Sequence, residues 1–451
     1  MNAILKGIFS AIALFHFALA GGNAQSLPVS LNTGWKLQSA ASVPSSGSAI
    51  SLPGYNPAGW HNAIVPGTVL TSLVAAGLYP EPLYGENNRP NIIPESLCRT
   101  PWWYRTTFIV PGAYSGKRIW LKFEGINHRA EVWVNGSRLI NSDPDLASGP
   151  SIQGAFMRGI FDITSLATAG STVGLAVQIL PPPHPGNPIE QTMQARRVLG
   201  GEMEQKDSPT FLAAAGWDWI PALRDRNSGI WQGVSLSASG PVLVTDPYVA
   251  TTALTMSGTN ATSATLQFQA TLKNATTIAQ SGTLQYTIAG QSFSQAVTLS
   301  GSASQTVSRT ITVPNPALWW PNGYGAQNRY ISNPLTFTIN NVPSDTQNVE
   351  FGIRKVDWVQ AAGSPAIFKC VVNGVPVMIR GGNWGMDEAM KRDTAARPLE
   401  QMVRLQKEAG LNMVRNWTGE TTQESFYHWC DVYGLLVWND FWVNGPDLIQ
   451  M

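Results

Sequence analysis

The stretch that decides the fold runs from residue 373 to residue 451 and opens with NGVPVMIRGGNW. Residues 375–379 form a short apolar run typical of a buried strand, and the glycine-rich residues 381–384 are expected to form the loop after it. Residues 413–415 and 435–438 are predicted as the second and third strands. Because helical segments separate these strands, the pattern predicts a parallel βα architecture, here the first three strands of a barrel.

Two helices are predicted between these strands. The first has apolar residues at helical spacing, which are Leu399, Met402, Val403 and Ala409, and Gly410 is expected at its C-cap. The second is expected to open at residues 421–424, TTQE, which have capping-box spacing, and to end at Gly434. Its predicted apolar face comprises Phe426, Trp429, Cys430 and Tyr433.

Tryptophan, amide and carboxylate side chains follow each predicted strand, where the active sites of βα barrels lie. A tryptophan ring packs against the apolar face of a sugar, and amides and carboxylates bond its hydroxyl groups. In the alternative interpretation, the rings fill the barrel mouth and the polar groups cap helices. The candidate substrate-binding residues of this segment are Asn383, Trp384, Asp387, Arg415, Trp417, Glu420 and Asp440.

Composition excludes several classes of function. The chain of 451 residues is too long for one core, so several domains are expected. Its net charge is +1 with 13% charged residues, which argues against nucleic acid as a partner. The three cysteines, Cys98, Cys370 and Cys430, are widely separated and match neither a disulfide framework nor a zinc site. No cofactor and no metal are expected, and Cys430 is expected in the core.

Residues 1–24 resemble a secretory signal peptide. Lys6 provides the positive charge, and residues 7–20 form an apolar stretch too short to span a bilayer. Small residues at 18–20 and 22–24 are suitable for cleavage, and an uncleaved anchor is the alternative. The mature protein is therefore expected to be secreted or periplasmic, with no membrane association after cleavage.

Residues 27–240 have an all-β pattern. Strand-like runs at 103–110, 118–123, 130–134 and 173–179 alternate with turn residues, and Asn135-Gly136 predicts a hairpin turn. Short strands at this spacing indicate a β-sandwich of the jelly-roll type.

A long loop is expected to begin at the proline-rich residues 181–185 and to run to residue 231. It contains a Trp-Asp-Trp triplet, in which Trp217 is expected to face a pocket while Asp218 bonds two sugar hydroxyls. Alternatively the triplet anchors the loop, with Asp218 paired to Arg224 or Arg226. Trp217 and Asp218 complete the set of candidate substrate-binding residues.

Residues 241–355 differ in composition, because Thr, Ser, Ala and Gln dominate and charges are scarce. Their alternation predicts an immunoglobulin-like β-sandwich. The polar surface indicates a spacer rather than a site. Residues 315–323, NPALWWPNG, are expected to form a rigid turn that packs against a neighbouring domain. Residues 356–451 then form the incomplete barrel.

Several of these motifs together resemble glycoside hydrolase family 2. They include residues 103–108, 125–136, 318–321 and 351–354, and the more specific strings 216–221, 224–231, 379–384 and 426–438. The specific strings resemble the branch with β-mannosidases, mannosylglycoprotein endo-β-mannosidases and exo-β-glucosaminidases. The resemblance implies an exported hydrolase of β-linked mannosides or glucosaminides, acting on an oligosaccharide or glycan in carbohydrate catabolism.

The resemblance also implies retaining hydrolysis by two glutamates, an acid/base after the fourth barrel strand and a nucleophile after the seventh. Both positions would lie beyond Met451, so no catalytic residue is assigned and the chain is expected to be an inactive N-terminal fragment. Residues 417–420 and 384–388 depart from the family pattern. Glu420 and Asp440 lie on neighbouring strand ends and form the alternative carboxylate pair, but they are expected to bind sugar or to orient the glutamates. A carbohydrate-binding protein without catalysis and a purely structural module are the other interpretations.

Overall fold

The computed structural model describes residues 28–141, 147–183, 185–188, 203–206, 222–360, 368–385, 388–392, 399–419 and 423–441. They form a jelly-roll sandwich, an immunoglobulin-like sandwich and the start of a parallel barrel, which confirms the predicted fold class. None of the helices in those ranges is long and apolar enough to cross a membrane.

The first sandwich contains β1 to β13 and two short helices. The strands are β1 (Val29–Ser30), β2 (Lys36–Ser39), β3 (His61–Asn62), β4 (Trp102–Ile109), β5 (Arg118–Phe123), β6 (Arg129–Val134), β7 (Ser137–Arg138), β8 (Ile152–Gln153), β9 (Gly159–Asp162), β10 (Thr172–Leu180), β11 (Pro185–Pro188), β12 (Met203–Lys206) and β13 (Val234–Ser239). The helices are α1 (Gly47–Ile50) and α2 (Val69–Ala75). One sheet has the order β1-β13-β5-β9, and the other has β3-β2-β4-β10-β6-β7 with β8 on β6.

Every second residue of a strand points into the space between the two sheets, and apolar side chains at these positions fill it. In β6, Ala130, Val132 and Val134 are fully buried while the residues between them are half-buried. The predicted strands at residues 103–110, 118–123, 130–134 and 173–179 are confirmed to within one residue at either end. Asn135 and Gly136 have positive φ angles and join β6 to β7, so the predicted hairpin turn is also confirmed.

The second sandwich packs a three-stranded sheet, β14-β15-β18, on a four-stranded sheet, β17-β16-β20-β21. Its strands are β14 (Val242–Ser257), β15 (Asn260–Asn274), β16 (Gln280–Ile288), β17 (Gln291–Leu299), β18 (Ser304–Pro314), β20 (Asn333–Ile339) and β21 (Val342–Gln347). Phe268 of one sheet stacks on Tyr286 of the other with ring centroids 4.2 Å apart. The short strands β19 (Tyr330–Ile331) and β22 (Glu350–Phe351) pair beside this sandwich.

An antiparallel sheet leads into the barrel. It consists of β23 (Val356–Gln360), β24 (Phe368–Val372) and β25 (Val375–Val377). The prediction that residues 375–379 form the first barrel strand is wrong, because Val375 pairs antiparallel with Val372. Asn373 and Gly374 have φ angles of 51° and 77°, and such an Asn-Gly pair turns the chain back on itself after two residues.

The barrel part contains three parallel strands and two helices. They are β26 (Gly381–Trp384), α3 (Leu399–Glu408), β27 (Met413–Asn416), α4 (Glu424–Tyr433) and β28 (Leu436–Asn439). The glycine-rich residues 381–384, predicted as a loop, are thus the first parallel strand. A Cβ atom on Gly381 would lie 2.0 Å from the carbonyl oxygen of Met413, so a glycine is required for this pairing.

Both helices pack on the outer side of the parallel sheet. Their shared core comprises Trp384, Leu399, Val403, Val414, Phe426, Cys430 and Leu435, with Met402, Trp429 and Tyr433 packed against it. The predicted face of α4 is therefore confirmed, as are Gly410 and Gly434, whose φ angles are 82° and 78°. The predicted face of α3 is confirmed for Leu399, Met402 and Val403 but wrong for Ala409, which follows the last residue of the helix and is exposed. The predicted capping box is wrong, because Gln423 is the N-cap of α4 and makes no side-chain cap bond.

The turn at residues 318–323 joins the second sandwich to the barrel, as predicted. The Trp319 indole donates a hydrogen bond to the carbonyl of Asp431 at 2.7 Å, and the ring packs with Val372, Val377 and Leu436. The side-chain amide of Asn322 donates to the carbonyls of Lys407 and Leu411 at 2.9 and 2.8 Å. These carbonyls lie at and beyond the C-terminus of α3, so the turn caps that helix.

Candidate functional site at the carboxyl ends of the parallel strands

Alternate residues of the parallel strands face a cavity on the side of the sheet opposite the helices. The register aligns Gly381 with Met413 and Leu436, and Asn383 with Arg415 and Trp438. Since side chains alternate along a strand, these residues share one face. Apart from Leu436, they line a cavity of about 620 Å³ together with Ile379, Gly382 and Asp440. The full lining is Ile379, Gly381, Gly382, Asn383, Met413, Arg415, Trp438 and Asp440.

Arg415 connects the ends of all three strands. Its Nε and Nη2 atoms bond the two carboxylate oxygens of Asp440 at 3.1 and 2.7 Å. Its Nη1 atom donates to the Asn383 side-chain oxygen at 3.4 Å. The Arg415 side chain is 45% exposed and that of Asp440 is 16% exposed, so the guanidinium is held in place while it faces the cavity.

A second set of hydrogen bonds supports this group from the helix side. Asn416 donates its side-chain amide to the side-chain oxygen of Asn439 at 2.8 Å, and the Tyr427 hydroxyl of α4 donates to the same oxygen at 2.9 Å. The Asn439 amide in turn bonds the carbonyl of Asp440 at 3.0 Å. Burial raises the pKa of the Tyr427 hydroxyl, which therefore stays a neutral donor.

The two predicted tryptophans of this region are buried. Trp384 is 6% exposed and its ring lies 5.1 Å from that of Phe426, on the helix side of the sheet. Trp417 is 9% exposed in a short 3₁₀ turn directly after β27. The alternative packing interpretation accounts for the position of Trp384, and a sugar contact by either ring stays a prediction.

The structure thus brings together three of the predicted site residues, Asn383, Arg415 and Asp440. Four others lie outside the described residues: Trp217, Asp218, Asp387 and Glu420. Arg224 and Arg226, considered as partners of Asp218, each form an ion pair with Glu95, at 2.8 and 2.5 Å.

The candidate substrate-binding residues did not include Trp438, Asn416, Asn439 or Tyr427, although Asn416 and Asn439 follow predicted strands as polar residues. Trp438 is 52% exposed, lines the cavity and contacts Trp358 edge to face at 5.6 Å. The two-residue alternation of β28 places Trp438 on the same side as Leu436 and Asp440, and this signal was available in the sequence. The Tyr427 contact crosses from a helix to a strand and has no such signal.

The segment before β13 is an unusually polar part of the first sandwich's core. Residues 224–228 are all at most 5% exposed, and the carboxylate of Asp225 accepts bonds from the backbone N–H groups of Leu70 and Asn227. Burial raises the pKa of Asp225, and it lowers the pKa of nearby His128 to about 4, so this histidine is neutral at pH 7.

The chemistry available at the cavity is hydrogen bonding and ring stacking. It offers an amide, a guanidinium and a half-exposed indole ring, which suit a polyhydroxylated ligand with an apolar face. Across the described ranges, His, Cys, Asp and Glu side chains form no group of three or more that could hold a metal ion.

The fold thus defines a class of multidomain proteins in which a jelly-roll sandwich and an immunoglobulin-like sandwich precede the start of a parallel barrel. Two family models match the chain: residues 35–232 match the galactose-binding domain-like model of glycosyl hydrolase 2, and residues 247–354 match glycosyl hydrolases family 2. The chain therefore carries the N-terminal domains of glycoside hydrolase family 2, and the resemblance found in the sequence is confirmed.

The most similar curated relatives include a mannosylglycoprotein endo-β-mannosidase from Lilium longiflorum, 31% identical over 92% of this chain and 43% of the relative. An exo-β-D-glucosaminidase from Streptomyces avermitilis is 31% identical over 90% of this chain and 40% of the relative. The chain thus spans about two fifths of the length of these relatives.

Solved structures give the same result. The exo-chitosanase of Amycolatopsis orientalis matches with a TM-score of 0.71 and 28% identity, over 91% of this chain and 43% of that protein. The β-D-mannosidase of Dictyoglomus thermophilum matches with a TM-score of 0.69 and 25% identity, over 92% and 47%.

Proposed function

We propose that this chain forms the substrate-binding part of an exported retaining β-glycosidase that acts on β-linked mannosides or glucosaminides. The observation that supports the proposal is the group of Asn383, Arg415 and Asp440 around a cavity of about 620 Å³, at the carboxyl ends of parallel strands. Relatives that match 92% and 90% of this chain are named as a mannosidase and a glucosaminidase.

In this proposal the sugar lies in the cavity with its hydroxyl groups toward Asn383 and Arg415. The Asn383 amide both donates and accepts hydrogen bonds, whereas Arg415 only donates, so together they suit hydroxyl groups of defined orientation. The exposed face of Trp438 packs on the C–H face of the ring. Asp440 holds Arg415 in place by its two-point ion pair.

Retaining hydrolysis needs two carboxyl groups about 5–5.5 Å apart, one protonated and one ionised. Both oxygens of Asp440 bond Arg415, so this carboxylate positions the guanidinium and makes a poor acid or nucleophile. We therefore propose that the two catalytic glutamates belong to barrel strands beyond the three described, and that the 451-residue chain alone does not hydrolyse glycosides.

A carbohydrate-binding protein without catalysis is the second candidate, and the same two-point pairing of Asp440 favours it. A direct test uses p-nitrophenyl β-D-mannoside and p-nitrophenyl β-D-glucosaminide with the purified chain, measuring binding by saturation-transfer NMR and hydrolysis by nitrophenolate release. Binding without release supports the proposed role of the chain. Release of nitrophenolate that is lost in Asp440→Asn would overturn the proposal that catalysis lies elsewhere, and absence of binding would overturn the sugar-binding role.

The proposed export rests on residues 1–24, whose charge and apolar stretch resemble a signal peptide. Expression of the chain in its source cells, followed by fractionation, tests it. N-terminal sequencing of the exported protein is expected to begin at Gly21 or Gln25, whereas an intact Met1 in the cell interior would contradict export.

A further inference from the structure

The loop that leaves the first parallel strand is attached to the first sandwich at residues Glu388 to Arg392. The Met390 side chain is 1% exposed and belongs to the core of that sandwich, and Ala389 packs against the same core. Arg392 forms an ion pair with Glu81 at 2.9 Å, and the Lys391 ammonium lies 5.6 Å from the Trp231 ring centroid. Residues 388–392 of this barrel loop therefore pack on the first sandwich.

Two buried side chains of the sandwich bond consecutive carbonyls of this loop. The Asn227 amide donates to the Ala389 carbonyl at 2.8 Å, and the Thr71 hydroxyl donates to the Met390 carbonyl at 2.6 Å. Asn227 is 1% exposed and Thr71 is 3% exposed, so both bonds are shielded from water. These two bonds form an interdomain bridge.

Asp225 fixes the relative position of the two donors. Its fully buried carboxylate accepts a bond from the Leu70 backbone N–H at 2.7 Å, one residue before Thr71 in α2. The same carboxylate accepts the Asn227 backbone N–H at 2.9 Å. Asp225 therefore holds Thr71 and Asn227, which are more than 150 residues apart in sequence, at the distance that separates the carbonyls of Ala389 and Met390.

We propose that Thr71 and Asn227 are positioning residues, which hold the β26 loop and, through it, the end of β26 that places Asn383 in the sugar-binding cavity. The proposal rests on the proposed function, because it assigns these residues a role in sugar binding. Its physical reason is that Asn383 and Trp384 end a strand whose following loop is fixed at 388–392. Loosening the loop then loosens the strand end that lines the cavity.

The test compares Thr71→Val with Thr106→Val in the full 451-residue chain. Both threonines are 3% exposed and donate to backbone carbonyls, but the Thr106 hydroxyl bonds Gly34 within the sandwich. Native-state hydrogen exchange is followed at the Lys391 and Arg392 amides, which bond the Glu388 carbonyl and carboxylate at 3.1 and 2.9 Å. We expect exchange there to be about tenfold faster in Thr71→Val and unchanged in Thr106→Val.

Sugar binding is measured on the same proteins by saturation transfer to p-nitrophenyl β-D-mannoside. We expect a several-fold weaker signal for Thr71→Val and Asn227→Ala, recovery in Thr71→Ser and no change in Thr106→Val. Asn227→Ala provides a second removal of the interdomain bridge should Thr71→Val fold poorly.

The outcomes separate the two proposals. Equal exchange in Thr71→Val and wild type would overturn the interdomain bridge. Faster exchange with unchanged sugar binding would overturn the positioning role and leave packing alone. No saturation transfer to the wild-type chain would overturn the proposed sugar binding and the positioning role with it, and the exchange data would still decide whether the interdomain bridge holds the loop.

Discussion

Arg415 bonds two strand neighbours at once, and its environment explains why the bonds matter for geometry more than for stability. Its side chain is 45% exposed, so water screens the charge of the pair with Asp440. Exposed ion pairs contribute about 0–1 kcal/mol to folding. A two-point pair nevertheless fixes the plane of the guanidinium, and that orientation is what a sugar hydroxyl meets.

The Asp440→Asn variant is expected to weaken binding of p-nitrophenyl β-D-mannoside about three- to tenfold, because the amide accepts only one of the two Arg415 bonds. The free energy of unfolding is expected to change by less than about 1 kcal/mol. Saturation-transfer titration and urea unfolding measure the two quantities. Glu408→Gln is the control, since it removes an exposed partner of Arg404 on the outer helix α3. Equal losses of binding in both variants would contradict a site role for Asp440.

Asp345 gives the second sandwich a pH-dependent stability. Burial raises the pKa of this carboxyl from 3.8 to about 6, although the N–H groups of Val244 and Thr346 bond it. The folded state therefore binds the proton more tightly than the unfolded state, so stability falls as pH rises from about 4 to about 6 and is constant above. The fall corresponds to about 3 kcal/mol.

Urea unfolding of wild type and Asp345→Asn between pH 4 and pH 8 checks this prediction. The difference between the two proteins is expected to shift in favour of the variant as pH rises to about 6, because an amide does not ionise. Other carboxyls contribute equally to both proteins. Parallel curves over the whole range would show that Asp345 titrates normally.

The sequence predicted the type and the order of the helices and strands in the barrel part correctly. It placed the first barrel strand at the wrong residues. Periodicity located α3, α4, β27 and β28, because each buries one face against the others. Residues 375–377 have the apolar composition of a buried strand, but the Asn373-Gly374 turn pairs them backwards with β24. β26 carries two glycines, which weaken any strand prediction, and the closeness of the Met413 carbonyl explains the first of them, Gly381.

Gly381→Ala is expected to destabilise the parallel sheet by about 1–3 kcal/mol, because the new methyl group would lie 2.0 Å from the Met413 carbonyl oxygen. Gly382→Ala, the adjacent residue of the same strand, is the matched control, since a Cβ atom there has no neighbour within 4 Å. Its expected effect is close to zero or slightly stabilising. Urea midpoints of the two variants measure the difference, and similar midpoints would refute close strand contact at Gly381.

At the scale of the whole molecule, each of the two sandwiches contacts the start of the barrel. The first sandwich holds the β26 loop through Thr71 and Asn227, and the second caps α3 through Asn322. These contacts join residues that are far apart in sequence. Local sequence patterns therefore identified the segments of the site, but they did not show which segments contact each other. Trp384 illustrates the limit, since a shift of one residue in strand register decides whether a side chain faces the cavity or the helices.

Asn322→Ala is expected to uncouple the barrel start from the second sandwich. The substitution leaves the carbonyls of Lys407 and Leu411 without this donor, at a cost of about 1–3 kcal/mol for partly buried groups. Fewer hydrogen bonds then connect the barrel part to the second sandwich, so the two parts should unfold separately. Residues 399–439 of the barrel part are expected to exchange their amide hydrogens at a lower urea concentration than residues 242–347 of the sandwich. Asn328→Ala is the control, since its amide bonds the carbonyl of Leu318, the first residue of the turn, rather than a carbonyl at the end of α3. If both segments still open together in Asn322→Ala, the coupling resides in the packing of Trp319 rather than in the cap.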